Sequence, residues 1–164
     1  MQSVQGNKAR SFSFMIQTTS TSYNSIITTG SFVSQQLFSV CFGCGVVGAI
    51  GVNNYGSTKS ASKVINDGLW HSVLVTYDGT TLIIYVDGIS SLNGNIGLTI
   101  NTVGNDGNYI YSYYSGSLKN VQFYDYIVSN SVALKYSYQS AGSLLYTSGM
   151  VLNFCIMTYY ICEY

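Results

Sequence analysis

The chain has 164 residues, which is enough for one globular domain and leaves little room for a second. Six Lys and Arg residues balance six Asp and Glu residues, so the formal net charge is zero at pH 7. A nucleic-acid binder needs a cationic surface to displace counterions from phosphates, and this balance excludes that class of partner. Only 7% of the residues are charged, so hydroxyl and amide side chains must supply the polar surface.

The sequence shows neither a secretory signal nor a membrane span. The first eight residues, MQSVQGNK, contain no apolar segment of the kind found in a signal peptide. The most apolar stretch, residues 150–161, is interrupted by Asn153 and Thr158 and is shorter than the roughly 20 residues that cross a bilayer. These features leave the compartment open.

Short strands separated by turn residues recur along the first part of the chain. Residues 11–17 form the first predicted strand, and their alternation places Phe12 and Phe14 on one face. A polar turn follows at residues 18–24. Further strands are predicted at residues 25–28, 36–42 and 48–52, with glycines supplying the turns in a chain that has no proline.

The clearest element is a hairpin in the middle of the chain. Residues 70–77 and 81–86 are rich in β-branched and aromatic side chains, and Asp78 and Gly79 lie between them. Asp-Gly is a favoured hairpin pair because both central turn residues need a positive φ. Three later strands are predicted at residues 97–100, 109–111 and 117–124. This pattern predicts an all-β fold, an antiparallel two-sheet β-sandwich of the jelly-roll type.

The C-terminal part has a less regular pattern. Residues 129–137 are compatible with a short helix or a strand, and residues 142–164 are apolar and aromatic without clean alternation. We therefore expect a sandwich domain at residues 10–128. Residues 129–164 are expected to form an extension that packs on the sandwich or closes its edge.

The hairpin resembles the signature hairpin of laminin-G-like domains, which belong to the concanavalin A-like lectin/glucanase superfamily. The matching runs are DGLWHSVLVTYDGT at residues 67–80 and YVDG at residues 85–88. Residues 11–18 and 114–124 are similar to the family's early and late strands. The resemblance implies a concanavalin A-like jelly roll that recognises glycans or proteins in lectin-like or cell-adhesion roles, and an extracellular or surface-associated location.

Two features depart from that family. Its members usually carry several strands before the one that contains Phe12 and Phe14, and acidic residues often occur where Leu118 to Asn120 stand here. Residues 142–164 either replace the missing edge strands or leave an exposed edge, which would favour self-association.

The chain lacks the residue pattern of a glycosidase. Retaining hydrolysis needs two carboxylates about 5 Å apart, and no two of the six acids are two or four residues apart. Asp67, Asp78 and Asp87 each precede Gly and are expected to be turn residues. His71 would have to be the base in nucleophilic catalysis, but we expect it to be structural, and Trp70 to be a core anchor. We therefore expect no enzyme activity.

The four cysteines form two clusters, Cys41/Cys44 and Cys155/Cys162. We expect packed or free thiols, and a disulfide or a metal site are the alternatives. The glycine-rich residues 41–48 lack the Lys-Ser/Thr of a phosphate loop and are expected to form a turn.

Two predicted loops contain candidate ligand residues. Sugars are bound by aromatic faces together with amide and carboxylate groups, and binding residues concentrate in loops on a rigid sandwich. The candidates for ligand contact are Asn53, Asn54, Tyr55, Asn108, Tyr109, Tyr113 and Tyr114. Asp106 and Asn108 could also supply oxygen ligands to calcium, which laminin-G-like domains often bind at a loop rim. No cofactor is required for this function.

The sequence thus predicts a non-catalytic recognition module that binds a glycan or a protein surface. The first alternative is a structural protein that self-assembles through sheet edges, because few charges oppose association. The second is a degenerate glucanase that keeps the fold without the activity.

Overall fold

A computed structural model describes residues 4–95, 98–104, 109–110, 114–132, 150–154, 156–157 and 160–161. Thirteen strands lie in these ranges. They are β1 Arg10–Gln17, β2 Asn24–Gly30, β3 Leu37–Phe42, β4 Ala49–Asn53, β5 Thr58–Val64, β6 Trp70–Tyr77, β7 Thr81–Val86, β8 Ile89–Asn95, β9 Tyr109–Ile110, β10 Ser117–Tyr124, β11 Met150–Phe154, β12 Ile156–Met157 and β13 Tyr160–Ile161.

The strands form two main antiparallel sheets. One has six strands in the order β11-β10-β1-β6-β7-β8, and the other has five in the order β5-β4-β3-β2-β9. Strands β12 and β13 form a separate pair. The two sheets enclose one hydrophobic core between their inner faces, and this confirms the predicted two-sheet β-sandwich.

A stack of three phenylalanine rings joins the two sheets. Phe12 of β1 stacks on Phe38 of β3 with ring centroids 5.4 Å apart, and on Phe123 of β10 at 4.7 Å. Phe38 thus contacts the opposite sheet. Since successive side chains of a strand point to opposite faces, Ser39 and Cys41 of β3 lie on the outer face of the five-stranded sheet, the face that points away from the six-stranded sheet.

Arg10 is a buried cation at the edge of this core. Its guanidinium donates hydrogen bonds to the carbonyls of Lys8 and Gly6, at 3.0 and 2.7 Å, and to the Thr102 hydroxyl at 3.1 Å. It also lies 5.2 Å from the centroid of the Phe38 ring. Burial lowers the pKa of Arg10 to about 10. The arginine therefore anchors the N-terminal segment and is not available at the surface.

The predicted hairpin is confirmed by β6 and β7, which pair antiparallel. In the connecting turn, the Asp78 carboxylate accepts hydrogen bonds from the amides of Thr80 and Thr81. Asp87 and Gly88 form a two-residue turn between β7 and β8, with φ values of 51° and 78°. Both residues have the positive φ that favours Asp-Gly in such turns.

The prediction of a strand at residues 97–100 is wrong as far as the structure describes this segment, because residues 98–100 are not in a strand. Leu98 and Ile100 are buried in the core, which explains their apolar character. However, the backbone here bonds to loop residues, since the Thr99 carbonyl accepts from the Asn54 side chain at 2.8 Å. The strand that follows β7 is β8, which pairs with it.

The C-terminal residues are described only in part. Residues 130–132 are helical, and β11 pairs with β10 at the edge of the six-stranded sheet. Residues 133–149, 155, 158–159 and 162–164 of the predicted extension lie outside the described residues. Within the described part of the chain, no helix is long and apolar enough to cross a membrane.

The ring stack predicts a large effect of Phe38→Ala on stability. Phe38 is fully buried, and removing a buried phenylalanine ring costs about 3–5 kcal/mol of unfolding free energy. Urea unfolding should show this loss. Phe32→Ala is the matched control because Phe32 is 41% exposed, and it should cost under about 1 kcal/mol. Equal losses for the two variants would contradict this account of the core.

Candidate functional site

A row of polar residues crosses the outer face of the five-stranded sheet. Thr28, Ser39, Asn53 and Thr58 are register partners on four adjacent strands. The hydroxyls of Thr28 and Ser39 are 3.0 Å apart, and the Asn53 amide donates to the Thr58 hydroxyl at 2.8 Å. Tyr109 lies on β9, the fifth strand of this sheet, and pairs with Thr28 of β2. These side-chain hydrogen bonds join β2 to β3 and β4 to β5 on the outer face.

An open cleft of about 740 Å³ lies on this face, within the roughly 300–1,000 Å³ typical of ligand sites. It is formed by the start of β2, the loop after β2 and the turn between β4 and β5. The lining residues are Tyr23, Asn24, Ser25, Phe32, Leu37, Asn53, Tyr55, Gly56, Ser57 and Thr58. No charged side chain lines the cleft among the described residues.

Exposed aromatic residues lie in the cleft at both ends of β2. Tyr23 comes just before this strand and is 56% exposed, with its hydroxyl 3.1 Å from the Ser25 hydroxyl. Phe32 comes after the strand, and its ring meets that of Tyr55 edge-on at 6.0 Å. Tyr55 is also 56% exposed. At roughly 3.4 Å per residue, the ends of β2 are about 20 Å apart.

Tyr55 is held in a left-handed conformation with φ of 65°. Its amide donates to the Asn53 side-chain oxygen at 2.6 Å, while the Asn54 side chain accepts from the amides of Gly56 and Ser57. This conformation costs a residue with a Cβ roughly 1–2 kcal/mol. Such strain tends to occur at functional sites. The two asparagines therefore hold the backbone of an exposed tyrosine in a conformation that this residue rarely adopts.

Four of the residues predicted to contact a ligand have described side chains, and two of these four line the cleft. Asn53 and Tyr55 line the cleft. Asn54 does not, because it is only 2% exposed and its side chain holds the turn. Tyr114 does not line the cleft either: it is half-buried against Phe42, with ring centroids 6.0 Å apart. Burial raises the pKa of Tyr114 to about 12.

The remaining candidates cannot be placed in the same way. Tyr109 is located by its backbone pairing with Thr28, while Asp106, Asn108 and Tyr113 lie outside the described residues. The calcium ligands Asp106 and Asn108 therefore stay a prediction. In the described ranges, no three His, Cys, Asp or Glu side chains come together to hold a metal ion.

Sequence reasoning missed Tyr23 and Phe32 as site residues. Tyr23 falls in a segment predicted as a polar turn, and Phe32 falls between two predicted strands. Binding residues concentrate in the loops that connect the strands of a rigid scaffold, and this position is the signal that could have identified both residues.

Cys41 and Cys44 form a disulfide with their Cα atoms 5.9 Å apart. The expectation of packed or free thiols is therefore wrong for this pair, while the second cysteine cluster lies outside the described residues. The bridge lies over β4, where a Cβ added to Gly51 would come within 2.7 Å of Cys44 Sγ. The Ser60 hydroxyl donates to the Cys44 carbonyl. The disulfide loop thus covers the outer face beside the cleft.

Trp70 is an exposed aromatic residue on the other sheet. The prediction that Trp70 is a core anchor is wrong, because the residue is 37% exposed. Val73 and Val75 of β6 face the core, so the alternation of the strand places Trp70 outward. The Lys119 ammonium lies 4.2 Å from the centroid of its ring and partly covers it.

His71 lies in a cluster of charged residues that links the two sheets. Its Nδ1 is 2.8 Å from the Asp87 carboxylate, and its Nε2 is 3.0 Å from that of Asp67. Lys63 of β5, in the five-stranded sheet, contacts Asp87 at 2.6 Å. The Ser72 amide also donates to Asp87 at 3.0 Å. Both ring nitrogens are engaged by carboxylates, so His71 is not placed to act as a general base.

The cluster shifts the pKa values of its members. Burial lowers the pKa of His71, but hydrogen bonds to Asp87 and Asp67 outweigh this and leave it above its usual value. Burial raises the pKa of Asp87, but contacts with Lys63 and His71 bring it below its usual value. The pKa of Asp67 is lowered, mainly by its hydrogen bond to His71. The cluster favours an imidazolium between two carboxylates.

No protein-family model and no curated protein matches the chain. Among solved structures, a proposed carbohydrate-binding protein from Bacteroides ovatus ATCC 8483 matches with a TM-score of 0.67 and 18% identity, over 92% of this chain and 46% of that one. The CBM40 module of the Ruminococcus gnavus IT-sialidase was solved with α2,6-sialyllactose. It matches with a TM-score of 0.60 and 13% identity, over 79% of this chain and 83% of that one. Domains LG4-5 of the mouse laminin α1 chain match with a TM-score of 0.52 and 15% identity, over 75% of this chain and 36% of that one.

These similarities establish the fold. The protein has the jelly-roll β-sandwich found in carbohydrate-binding proteins and laminin G domains, so the predicted jelly roll is confirmed. The chain spans about half of the length of the Bacteroides ovatus protein. Membership in the laminin-G-like family itself stays a prediction.

The His71 cluster predicts that stability decreases as pH rises. The pKa of His71 is raised by folding, so its contribution is complete below its unfolded pKa of about 6.5 and is lost as pH rises through the folded pKa. Urea unfolding between pH 5.5 and 8 should show this loss. Over that range both aspartates stay ionised, because their pKa values are lowered from 3.8.

His71→Gln is the control for this pH dependence, since His71 is the only histidine in the chain. The variant should be less stable than the wild type at pH 5.5, and its stability should change less with pH. An identical pH dependence in the two proteins would contradict the proposed role of the imidazolium.

Proposed function

We propose that the protein is a non-catalytic recognition module that binds a glycan in the cleft on the outer face of its five-stranded sheet. The observation that carries this proposal is the arrangement of the cleft. Exposed rings of Tyr23, Phe32 and Tyr55 flank a floor that carries hydroxyl and amide groups. Sugars present both an apolar C–H face and polar hydroxyls, and this cleft offers a partner for each.

The polar groups of the cleft suit sugar hydroxyls because they can both donate and accept. The hydroxyls of Ser25 and Thr58 have donor and acceptor capacity, and the Asn53 amide has two donors and an acceptor. Part of this capacity is used within the protein, since Asn53 donates to the Thr58 hydroxyl and accepts from the Tyr55 amide, and the Ser25 hydroxyl lies 3.1 Å from that of Tyr23. These groups line a cleft that also carries exposed aromatic side chains.

The site is also held in place before a ligand arrives. Its floor belongs to a five-stranded sheet, and Asn53 holds Tyr55 by a hydrogen bond of 2.6 Å. A binding site that is already ordered loses less conformational entropy on binding. This preorganisation compensates for the modest energy of each sugar contact.

The similarity to carbohydrate-binding proteins supports the proposal at the level of the fold. The positions of three aspartate side chains support a non-catalytic role. Asp67 and Asp87 are bound to His71, and the Asp78 carboxylate bonds to amides of its own turn. None of the three lines the cleft. The two carboxylates needed for glycoside hydrolysis are therefore not offered by these residues.

Self-assembly through the edge strand β5 is opposed by its charges. Lys59 and Lys63 lie on this edge strand, and lysines on an edge discourage the pairing of another strand. The aromatic, hydroxyl and amide groups of the outer face fit a glycan partner better than they fit self-assembly.

Substitution of Tyr55 should separate binding from folding. We expect Tyr55→Gly to weaken glycan binding about tenfold or more, because an aromatic contact is worth roughly 0.5–1.5 kcal/mol beyond the area that it buries. Its unfolding free energy should be unchanged or slightly raised, because glycine adopts a φ of 65° without the Cβ penalty. Glycan-array screening, followed by calorimetric titration with the best ligand, measures the first effect, and urea unfolding measures the second.

Trp70→Ala is the matched control, because it removes an exposed aromatic ring from the other sheet. It should bind glycan as the wild type does. If Trp70→Ala lost binding while Tyr55→Gly kept it, the site would lie on the six-stranded sheet and the proposal would be wrong.

Calcium binding at Asp106 and Asn108 is proposed as a separate property. We expect weak binding, with a dissociation constant of roughly 10⁻⁴–10⁻³ M, that Asp106→Ala removes in calorimetric titration with CaCl₂. Glycan binding in the cleft should persist in EDTA, because the cleft supplies its own polar groups. Unchanged calcium binding by Asp106→Ala would rule out this loop as the calcium site.

A further inference from the structure

The cationic residues are few, and their described positions are away from the cleft. The chain contains six of them, namely Lys8, Arg10, Lys59, Lys63, Lys119 and Lys135. Arg10 is fully buried, the Lys63 ammonium is bound to Asp87, and the Lys119 ammonium lies over the Trp70 ring on the other sheet. None of the cations whose side chains are described lines the cleft.

Among the described residues, the cleft has no cation that could pair with an acidic sugar. Carboxylate and sulfate groups are bound most strongly by arginine or lysine through charge-assisted hydrogen bonds. Burying an anion against neutral groups also costs desolvation energy that those groups recover only in part. Lys59 follows Thr58 on β5, so the alternation of the strand directs it to the opposite face of the sheet from the cleft. The lining therefore favours an uncharged ligand over a charged one.

The two aromatic ends are too far apart to serve a single sugar. Tyr23 precedes β2 and Phe32 follows it, and the strand itself extends about 20 Å at roughly 3.4 Å per residue. Hydroxyl and amide groups of Ser25, Asn53 and Thr58 lie along the cleft between them. A ligand that uses both ends must contain several sugar rings in a line.

The aromatic residues at both ends of the cleft are exposed to solvent. Tyr23 and Tyr55 are each 56% exposed, so a chain that lies on them can continue past them. Recognition of a terminal sugar would instead need groups that enclose the last ring. The exposure of these terminal aromatic residues favours contacts with the middle of a chain.

We propose that the cleft binds an internal stretch of an uncharged, linear glycan several sugar rings long, with Tyr23 at one end and the Phe32–Tyr55 pair at the other. This inference rests on the proposed function, because it names the class of glycan that the same cleft takes. The uncharged ligand proposed here differs from that of the structural neighbour from Ruminococcus gnavus, which was solved with the sialylated sugar α2,6-sialyllactose.

Calorimetric titration with two ligand series tests the inference. The first series contains neutral oligosaccharides of xylose, arabinose, glucose or mannose, each from two to six units. The second contains 6′-sialyllactose and oligogalacturonates of matching lengths. We expect affinity for one neutral series to rise about tenfold or more as the chain grows long enough to reach the second aromatic end. Acidic ligands of equal length should bind more weakly.

Variants of the two ends make the test specific. Tyr23→Ala should remove the gain in affinity with length, because it deletes one of the two aromatic ends. Tyr55→Gly should lower affinity for the long ligands, and Trp70→Ala should behave as the wild type throughout. Blocking both termini of the longest ligand, by reduction at one end and methylation at the other, should leave its affinity unchanged if the cleft binds internal units.

Three outcomes would overturn the inference while leaving a glycan site in place. They are tighter binding of the acidic series, affinity that does not change with length, and loss of binding when the termini are blocked. If neither series binds, or if Tyr23→Ala and Tyr55→Gly bind all ligands as the wild type does, the proposed function itself fails, and the inference fails with it.

Discussion

The contact between Phe38 and Phe12 is the interaction on which the rest of the structure depends. It holds β3 of one sheet against β1 of the other at a ring-centroid distance of 5.4 Å. Because side chains alternate along a strand, the inward direction of Phe38 places Ser39 on the outer face. The register partners of Ser39 then place Asn53 on the same face. The polar floor of the cleft is thus a consequence of how the core is packed.

The low charge of the chain explains the chemistry of the cleft. With 7% charged residues, the protein has few ion pairs, and the described charged groups serve mainly to hold the sandwich together. Arg10 anchors the N-terminal segment, while Lys63, His71 and Asp87 link the two sheets. The surface beside the cleft is left with hydroxyls, amides and aromatic rings. The composition of the chain therefore favours an uncharged ligand.

Sequence reasoning recovered the fold better than the site. The period of two and the Asp-Gly turns are local signals, so they identified the central hairpin and the sandwich. The site depends on register. Asn53 and Asn54 are neighbours in sequence, yet one lines the cleft and the other is buried. The outward position of Trp70 follows from the period of two along β6 and could have been predicted. Tyr23 and Phe32, by contrast, meet the cleft only because β2 pairs with β3 across a bulge. Sequence alone does not reveal bulges or cross-strand partners.

The most direct test of a glycan site in this cleft is a ¹H–¹⁵N NMR titration of the protein with the neutral oligosaccharide that binds it best. The account predicts that chemical-shift changes centre on Tyr23, Ser25, Phe32, Asn53 and Tyr55, and that their size saturates with ligand concentration. Shifts that instead centred on the outer face of the six-stranded sheet, with the cleft resonances unchanged, would contradict it.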